Sequence, residues 1–217
     1  VPIIDQSAAL AVRIIAPPSN QPAPVTNNCI PEPTEHKLNH CRYTRFDMKL
    51  LVTGGAGFIG SNYVRHVLET TDVTVTTLDS LTYAGSKDNL AGIENPRHTF
   101  IEGDIRDRAL VSELVEDADI VVNFAAESHV DRSIEGAGPF VSTNVEGTCA
   151  LLDAAVETDL ERFIQISTDE VYGEILDGEF TESDRLAPRN PYAATKAGAD
   201  LLARSYYTTH DVPVILT

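Results

Sequence analysis

A chain of 217 residues with 42% hydrophobic content can bury one good core but is short for two full domains. Its formal net charge of −17 argues against nucleic acid as a partner, because a polyanion would be repelled. No run of 18 apolar residues argues for a membrane span, and the start lacks the basic segment that opens a signal peptide. Cys29, Cys41 and Cys149 share no metal-binding spacing and make no even disulfide framework, so no metal is expected and a reducing cytoplasm is the expected compartment.

The charge is unevenly placed. Four of the 16 basic residues (Arg13, Lys37, Arg42, Arg45) and four of the 33 acidic ones (Asp5, Glu32, Glu35, Asp47) lie in 1–47, so the whole excess falls on 48–217. Such a surface repels itself less where salt screens it, which makes a hypersaline host one reading and a plainly acidic protein the other. Residues 1–47 also carry prolines at 2, 17, 18, 22, 24, 31 and 33 and no sustained helical or strand period. They read as a disordered or non-native leader, with Met48, the sole methionine, as the expected natural start.

From Met48 onward two periodicities alternate. Apolar, β-branched runs predict strands over 49–53, 73–78, 98–102, 119–125, 162–167 and 212–217, and helical patterns predict helices over 58–69, 107–117, 138–157 and 191–209. This alternation predicts an α/β fold with a doubly wound parallel sheet of the Rossmann type, one dinucleotide-binding domain over 48–217. Cys149 falls in an apolar helix and is expected in the core.

The first turn, "VTGGAGFIGSN", sets Gly54, Gly57 and Gly60 where a strand gives way to a helix. Glycines there permit a tight turn and let backbone amides approach a pyrophosphate at the positive end of the helix. Asp79 follows Gly60 by 19 residues, at the end of the second predicted strand, where a carboxylate can accept from a ribose diol. The combination predicts NAD rather than NADP, because an acid at that place repels a 2′-phosphate. The bland alternative is a glycine turn with an unrelated aspartate.

Further along, "NPYAATKAGADLL" places Tyr192 and Lys196 four apart on one helix face. An ammonium beside a phenol stabilises the phenolate, which predicts a Tyr192 pKa lowered towards the range of a useful base. The stretch "FIQISTDEVYGEI" sets Asp169 and Glu170 side by side after a buried strand. Either they form a solvated turn, or they are acid–base groups with separate jobs.

Three of these stretches, "TGGAGFIG", "STDEVYG" and "YAATK", resemble the extended short-chain dehydrogenase/reductase family. "LDSLTYAG" and "AAESHVDRSI" narrow the likeness to its dTDP-glucose 4,6-dehydratase branch, over Met48 to Thr217. The resemblance implies an NAD-dependent lyase of nucleotide-sugar metabolism that oxidises C4 of a nucleotide-bound glucose, eliminates water across C5 and C6, and returns hydride to C6. It implies Tyr192 as the base at the C4 hydroxyl, supported by Lys196 and Thr168, with Glu170 taking the C5 proton and Asp169 protonating the departing C6 hydroxyl. Gly54, Gly57, Phe58, Ile59, Gly60 and Asp79 would hold the cofactor with Tyr192 and Lys196. Asp104 and Ile105 would flank the adenine, and Ala125, Ala126 and Asn144 would line the cofactor. Ser128, His129 and Asn190 would approach the sugar nucleotide, although His129 reads equally as a structural loop residue.

The resemblance also implies a homodimer through the helices near 138–157 and 191–209, and a C-terminal substrate domain beyond Thr217 that is missing here. The choice between thymine and uracil therefore stays open. Two rival readings remain: another sugar-nucleotide enzyme such as a 4-epimerase or decarboxylase, which has no need of the Asp169–Glu170 pair, and an inactive NAD-binding fragment.

Overall fold

In the computed structural model, which describes residues 48–217, six strands run parallel in one sheet. They are β1 (Lys49–Thr53), β2 (Thr74–Asp79), β3 (His98–Glu102), β4 (Ile120–Asn123), β5 (Arg162–Gln165) and β6 (Val214–Leu216), in the order β3-β2-β1-β4-β5-β6. The helices are α1 (Phe58–Thr70), α2 (Arg108–Glu116), α3 (Val130–Glu135), α4 and α5 (Pro191–His210). Helix α4 starts at Gly138–Phe140, widens into a π turn over Val141–Gly147, and continues as Thr148–Val156. The expected leader over 1–47, with Cys29 and Cys41, lies outside the described residues.

The central strands are apolar on both faces because both faces are covered. Leu50, Val52, Ile120, Val122 and Ile164 point one way and pack with Tyr63, Val64 and Val67 of α1. Leu51, Val121 and Phe163 point the other way, against Val111 and Val115 of α2, Leu151 and Leu152 of α4, and Ala203 of α5. Strand alternation thus feeds two cores, and each fully buried aliphatic side chain contributes roughly 1.5–3 kcal/mol. Arg97 locks the corner between α1 and β2: its guanidinium donates to the carbonyls of Leu68, Thr71 and Val73, where a helix leaves oxygens unpaired.

The chain order of the sheet reverses between β2 and β4, which flank β1 on opposite sides. Loops leaving the carboxyl ends of β1 and β4 therefore part, and a crevice opens between them. Beneath it the last residues of three strands form a buried polar row. The Thr53 hydroxyl donates to Asn123 Oδ1 (2.5 Å), and Asn123 Nδ2 donates to Gln165 Oε1 (2.8 Å) and Thr148 Oγ1 (3.3 Å). These bonds satisfy polar groups that would otherwise each cost about 1–3 kcal/mol to bury, and they fix the spacing of the crevice floor.

The strand predicted over 212–217 forms only over Val214–Leu216, and other differences from the sequence reading fall at this edge. The predicted strands over 119–125 and 162–167 stop at Asn123 and Gln165, because beyond them single backbone bonds replace a regular ladder. Helix α3 was unforeseen, being too short to show a hydrophobic period.

Candidate active site

The turn after β1 is built by contact distance. Gly54 has φ +69°, and a Cβ on it would lie 2.6 Å from the Ala125 amide nitrogen. A Cβ on Gly60 would lie 2.3 Å from the Gly54 carbonyl oxygen. Both neighbours are backbone and cannot yield, so the turn has to be glycine for it to sit this close to β4 and to its own helix. Gly57 takes the N-cap position of α1 with no side chain capping the helix. The first-turn amides, from Phe58 to Gly60, thus offer an anion-binding helix end, with the Phe58 and Ile59 side chains exposed.

Asp79, buried at the end of β2, closes this turn from the other side. Its Oδ2 accepts from the Ala56 amide (2.9 Å) and its Oδ1 from the Leu81 amide (2.8 Å). Each carboxylate oxygen keeps a second lone pair, so Asp79 both braces the glycine turn and can accept from a diol. With Gly54, Gly57, Asp104, Ile105, Ala125 and Ala126 it lines a cleft of about 140 Å³.

Asp104 is gripped by Arg106, whose Nε donates to Oδ1 at 2.9 Å, and this hydrogen bond holds the carboxyl below its usual range. The Ile105 side chain turns away into the core, leaving its backbone at the cleft. Asn144 is buried and fully engaged. Its Oδ1 accepts from the Glu127 amide (2.8 Å), and its Nδ2 donates to the Glu127 carbonyl (2.9 Å) and to Thr195 Oγ1 (3.0 Å). The π turn brings Asn144 to this position, where it clamps the loop after β4 to α5.

The five residues expected to be catalytic come together where β5 meets α5. Thr168 caps a 3₁₀ turn, Asp169–Tyr172, through the Glu170 amide (3.3 Å), and its hydroxyl also donates to Asp169 Oδ1 (3.4 Å). The neighbouring carboxylates diverge. Asp169 is exposed, whereas half-buried Glu170 accepts at Oε2 from Asn190 Nδ2 (2.7 Å). Asn190 in turn caps α5, its Oδ1 accepting from Ala193 N at 2.8 Å, with Pro191 in the first turn. Ser128 and His129 lie exposed on the loop after β4, His129 at the N-cap of α3.

The Tyr192 phenol is raised, not lowered, which corrects the sequence reading. Burial dominates; a hydrogen bond with Thr168 opposes it, and the charges of Glu170 and Asp169 add to it. Lys196 is buried under the helix, with Nζ donating to the Ile166 carbonyl at 2.5 Å. Burial lowers its ammonium to about 8, against the pull of Asp200. A second correction concerns Cys149. It is only half-buried and sits with Asp153 and Tyr206 between α4 and α5.

Two residues escaped the sequence reading. Tyr83 reaches from the loop after β2 across to the loop after β4, where its hydroxyl accepts from the Ser128 amide (3.2 Å) and Arg132 stacks on its ring (4.4 Å). Nothing in the local sequence marks this pairing across 45 residues. Asp200 was findable, because it follows Tyr192 and Lys196 at the same four-residue interval.

Residues 51–217 match the family model described as GDP-mannose 4,6 dehydratase. The chain belongs to that family. It is 71% identical over 171 residues to the low-salt glycan biosynthesis protein Agl12 of Haloferax volcanii, covering 78% of this chain and 55% of that one. It is 52% identical to the dTDP-glucose 4,6-dehydratase DesIV of Streptomyces venezuelae, whose crystal structure holds NAD, with a TM-score of 0.76 over 78% of this chain and 54% of that one. A UDP-glucuronic acid 4-epimerase of Bacillus cereus, in complex with UDP-glucuronic acid and NAD, matches with 34% identity and a TM-score of 0.74 over 78% of this chain and 55% of that one. The chain spans about half the length of these relatives. Among the described residues no helix is long and apolar enough to cross a membrane.

Proposed function

We propose that this chain is the cofactor-binding and catalytic half of an NAD-dependent dTDP-glucose 4,6-dehydratase, converting the nucleotide sugar to its 4-keto-6-deoxy form. The observation that carries the reading is the divergence of Asp169 and Glu170 beside Tyr192. One carboxylate is exposed and the other is aimed by Asn190, so adjacent residues can serve adjacent carbons.

The residues fit NAD. A Cβ at Gly54 or Gly60 would fill the cradle, the first amides of α1 are uncapped, and Asp79 retains acceptor capacity. Gly54, Gly57, Phe58, Ile59 and Gly60 would hold the pyrophosphate, Asp79 the ribose, and Asp104 with the Ile105 backbone the adenine. Ala125 and Ala126 would line the remainder, with Asn144 fixing that wall. When bound, NAD supplies the acceptor for the C4 hydride and its donor for C6.

Tyr192 takes the proton of the C4 hydroxyl, with Thr168 hydrogen-bonded to the phenol and Lys196 supplying positive charge from below. Glu170 takes the C5 proton, acidic once C4 is a ketone, and Asp169 gives a proton to the C6 hydroxyl as it leaves. Ser128 and His129 form the opposite wall for the sugar nucleotide. Its nucleobase, thymine or uracil, would be read by parts of the protein outside this chain. The outer faces of α4 and α5, which expose Val141, Leu201 and Tyr207, would pair two copies into a homodimer in the cytoplasm.

The test supplies the full-length protein with dTDP-glucose deuterated at C4. Deuterium should appear at C6 of a 4-keto product. An epimerase would return it to C4, and an inactive NAD-binding module would bind NAD and leave the sugar unchanged.

A further inference from the structure

Helix α5 presents a second buried charge one turn beyond Lys196. Asp200 is 5% exposed and Lys196 4%, and both reach the residues that follow β5. Two ties run between them and consecutive residues of that end. Lys196 Nζ donates to the Ile166 carbonyl, and the Ser167 hydroxyl donates to Asp200 Oδ2. The other carboxylate oxygen, Asp200 Oδ1, is buried without a hydrogen-bond partner.

An aspartate kept there only to hold Ser167 would be a poor choice, because an amide makes the same bond without burying a charge. What the carboxylate adds is charge, and the charge one helical turn away on the same buried face is that of Lys196. The other ionisable groups nearby are Tyr192 on the same helix and Asp169 and Glu170 on the turn after β5, while α4 turns neutral Asn144 towards α5. We propose that Asp200 is a positioning residue of this site: its carboxylate, tied to the end of β5 through Ser167, is the counter-ion that keeps Lys196 a cation in a buried place. The direction of the forces agrees, since burial drives the Lys196 ammonium down and Asp200 opposes it, while Lys196 and the Ser167 bond oppose the rise that burial imposes on Asp200. For its part in the reaction this inference rests on the function proposed above; for the ionisation of Lys196 it does not.

The test labels the lysine ε-carbons with ¹³C in this chain, whose lysines are Lys37, Lys49, Lys87 and Lys196, with Lys196→Arg identifying the signal. In Asp200→Asn, which keeps a partner for Ser167, the Lys196 midpoint should fall by about one unit or more, a tenfold loss of proton affinity. An unmoved midpoint in the folded variant overturns the proposal. Should Asp200→Asn fail to fold, the wild-type titration decides: the Lys196 signal should show a second, smaller inflection as Asp200 takes its proton at acid pH, and a single inflection overturns the proposal. In the full-length protein the alkaline limb of the pH–rate profile for NADH formation should move down by the same amount, which a merely structural tie would not produce. A moved midpoint in a protein that never forms NADH would sink the proposed function and leave the role of Asp200 standing. An unmoved midpoint in an active protein would do the reverse.

Discussion

At the scale of single residues, Glu170 and Asp169 are separated by their partners rather than by their positions in the chain. Asn190 orients Glu170, and Asp169 stays at the surface beside Thr168. Replacing Glu170 by Gln in the full-length protein removes the base and keeps a hydrogen-bonding group, so loss of the C5 proton should slow by about 10²–10⁴-fold. Oxidation at C4 should survive, and rapid mixing with dTDP-glucose should show enzyme-bound NADH accumulating. Tyr192→Phe should show none. Normal turnover of Glu170→Gln would return the pair to a solvated turn. Lys196 carries a separate expectation for stability. Its folded-state value of about 8 lies below that of an unfolded lysine, so between pH 8 and about 10 the unfolded chain binds more protons and the contribution of Lys196 to stability rises with pH. Melting curves across that window should rise less for Lys196→Met than for the wild type; parallel curves would mean that the ammonium is not penalised by burial.

Elements join these residues into a site, and Asn190 shows how. It caps α5 and holds Glu170 at the same time. Asn190→Ser keeps a capping oxygen, so the melting temperature should stay near the wild type while the C5 proton step slows. Asn190→Ala should lose the step and also about 0.5–2 kcal/mol of stability. If Ser and Ala behaved alike in both measurements, the link to Glu170 would carry no function. The glycine turn is a second joint. A Cβ at Gly60 meets backbone on two sides, at 2.3 Å from the Gly54 oxygen and 2.8 Å from the Gly55 Cα, so Gly60→Ala should lower both the melting temperature and NAD affinity, the latter by tenfold or more. Asp79→Ala should weaken NAD as well, and because Asp79 also holds the Ala56 amide it should loosen the turn. Calorimetry with NAD and with NADP reads both variants.

For the molecule as a whole, the net charge of −17 is a term in stability. It falls on a domain of six strands in which some cationic side chains pair with carboxylates, as Lys87 does with Glu102 and Arg108 with Asp153. Those pairs are exposed and contribute little individually, while the excess negative charge repels itself. Raising salt shortens the screening length from about 10 Å at 0.1 M to about 3 Å at 1 M, so the melting temperature should climb by several degrees between those concentrations of KCl. A flat or falling curve would show that self-repulsion is a negligible part of the balance.

The order of strands and helices was legible because their periods of two and 3.6 are local properties, and sheet burial on both faces leaves unbroken runs such as Leu50–Val52. The glycine turn, Asp79, and the Tyr192–Lys196 interval were legible for the same reason, since each lies within one βα unit or one helix. What the tertiary structure decided were pairings over long separations: Tyr83 with Ser128, Asn144 with Glu127 and Thr195, and Asn190 with Glu170. The direction of the Tyr192 shift was decided there too. A four-residue interval puts Tyr192 and Lys196 on one helix face, but burial raises the phenol, two carboxylates from another element add to the rise, and the Lys196 nitrogen points to the Ile166 carbonyl. Spacing along a helix fixes which side chains share a face. How dry that face is, and which charges oppose it, depend on the strands and turns that fold over it.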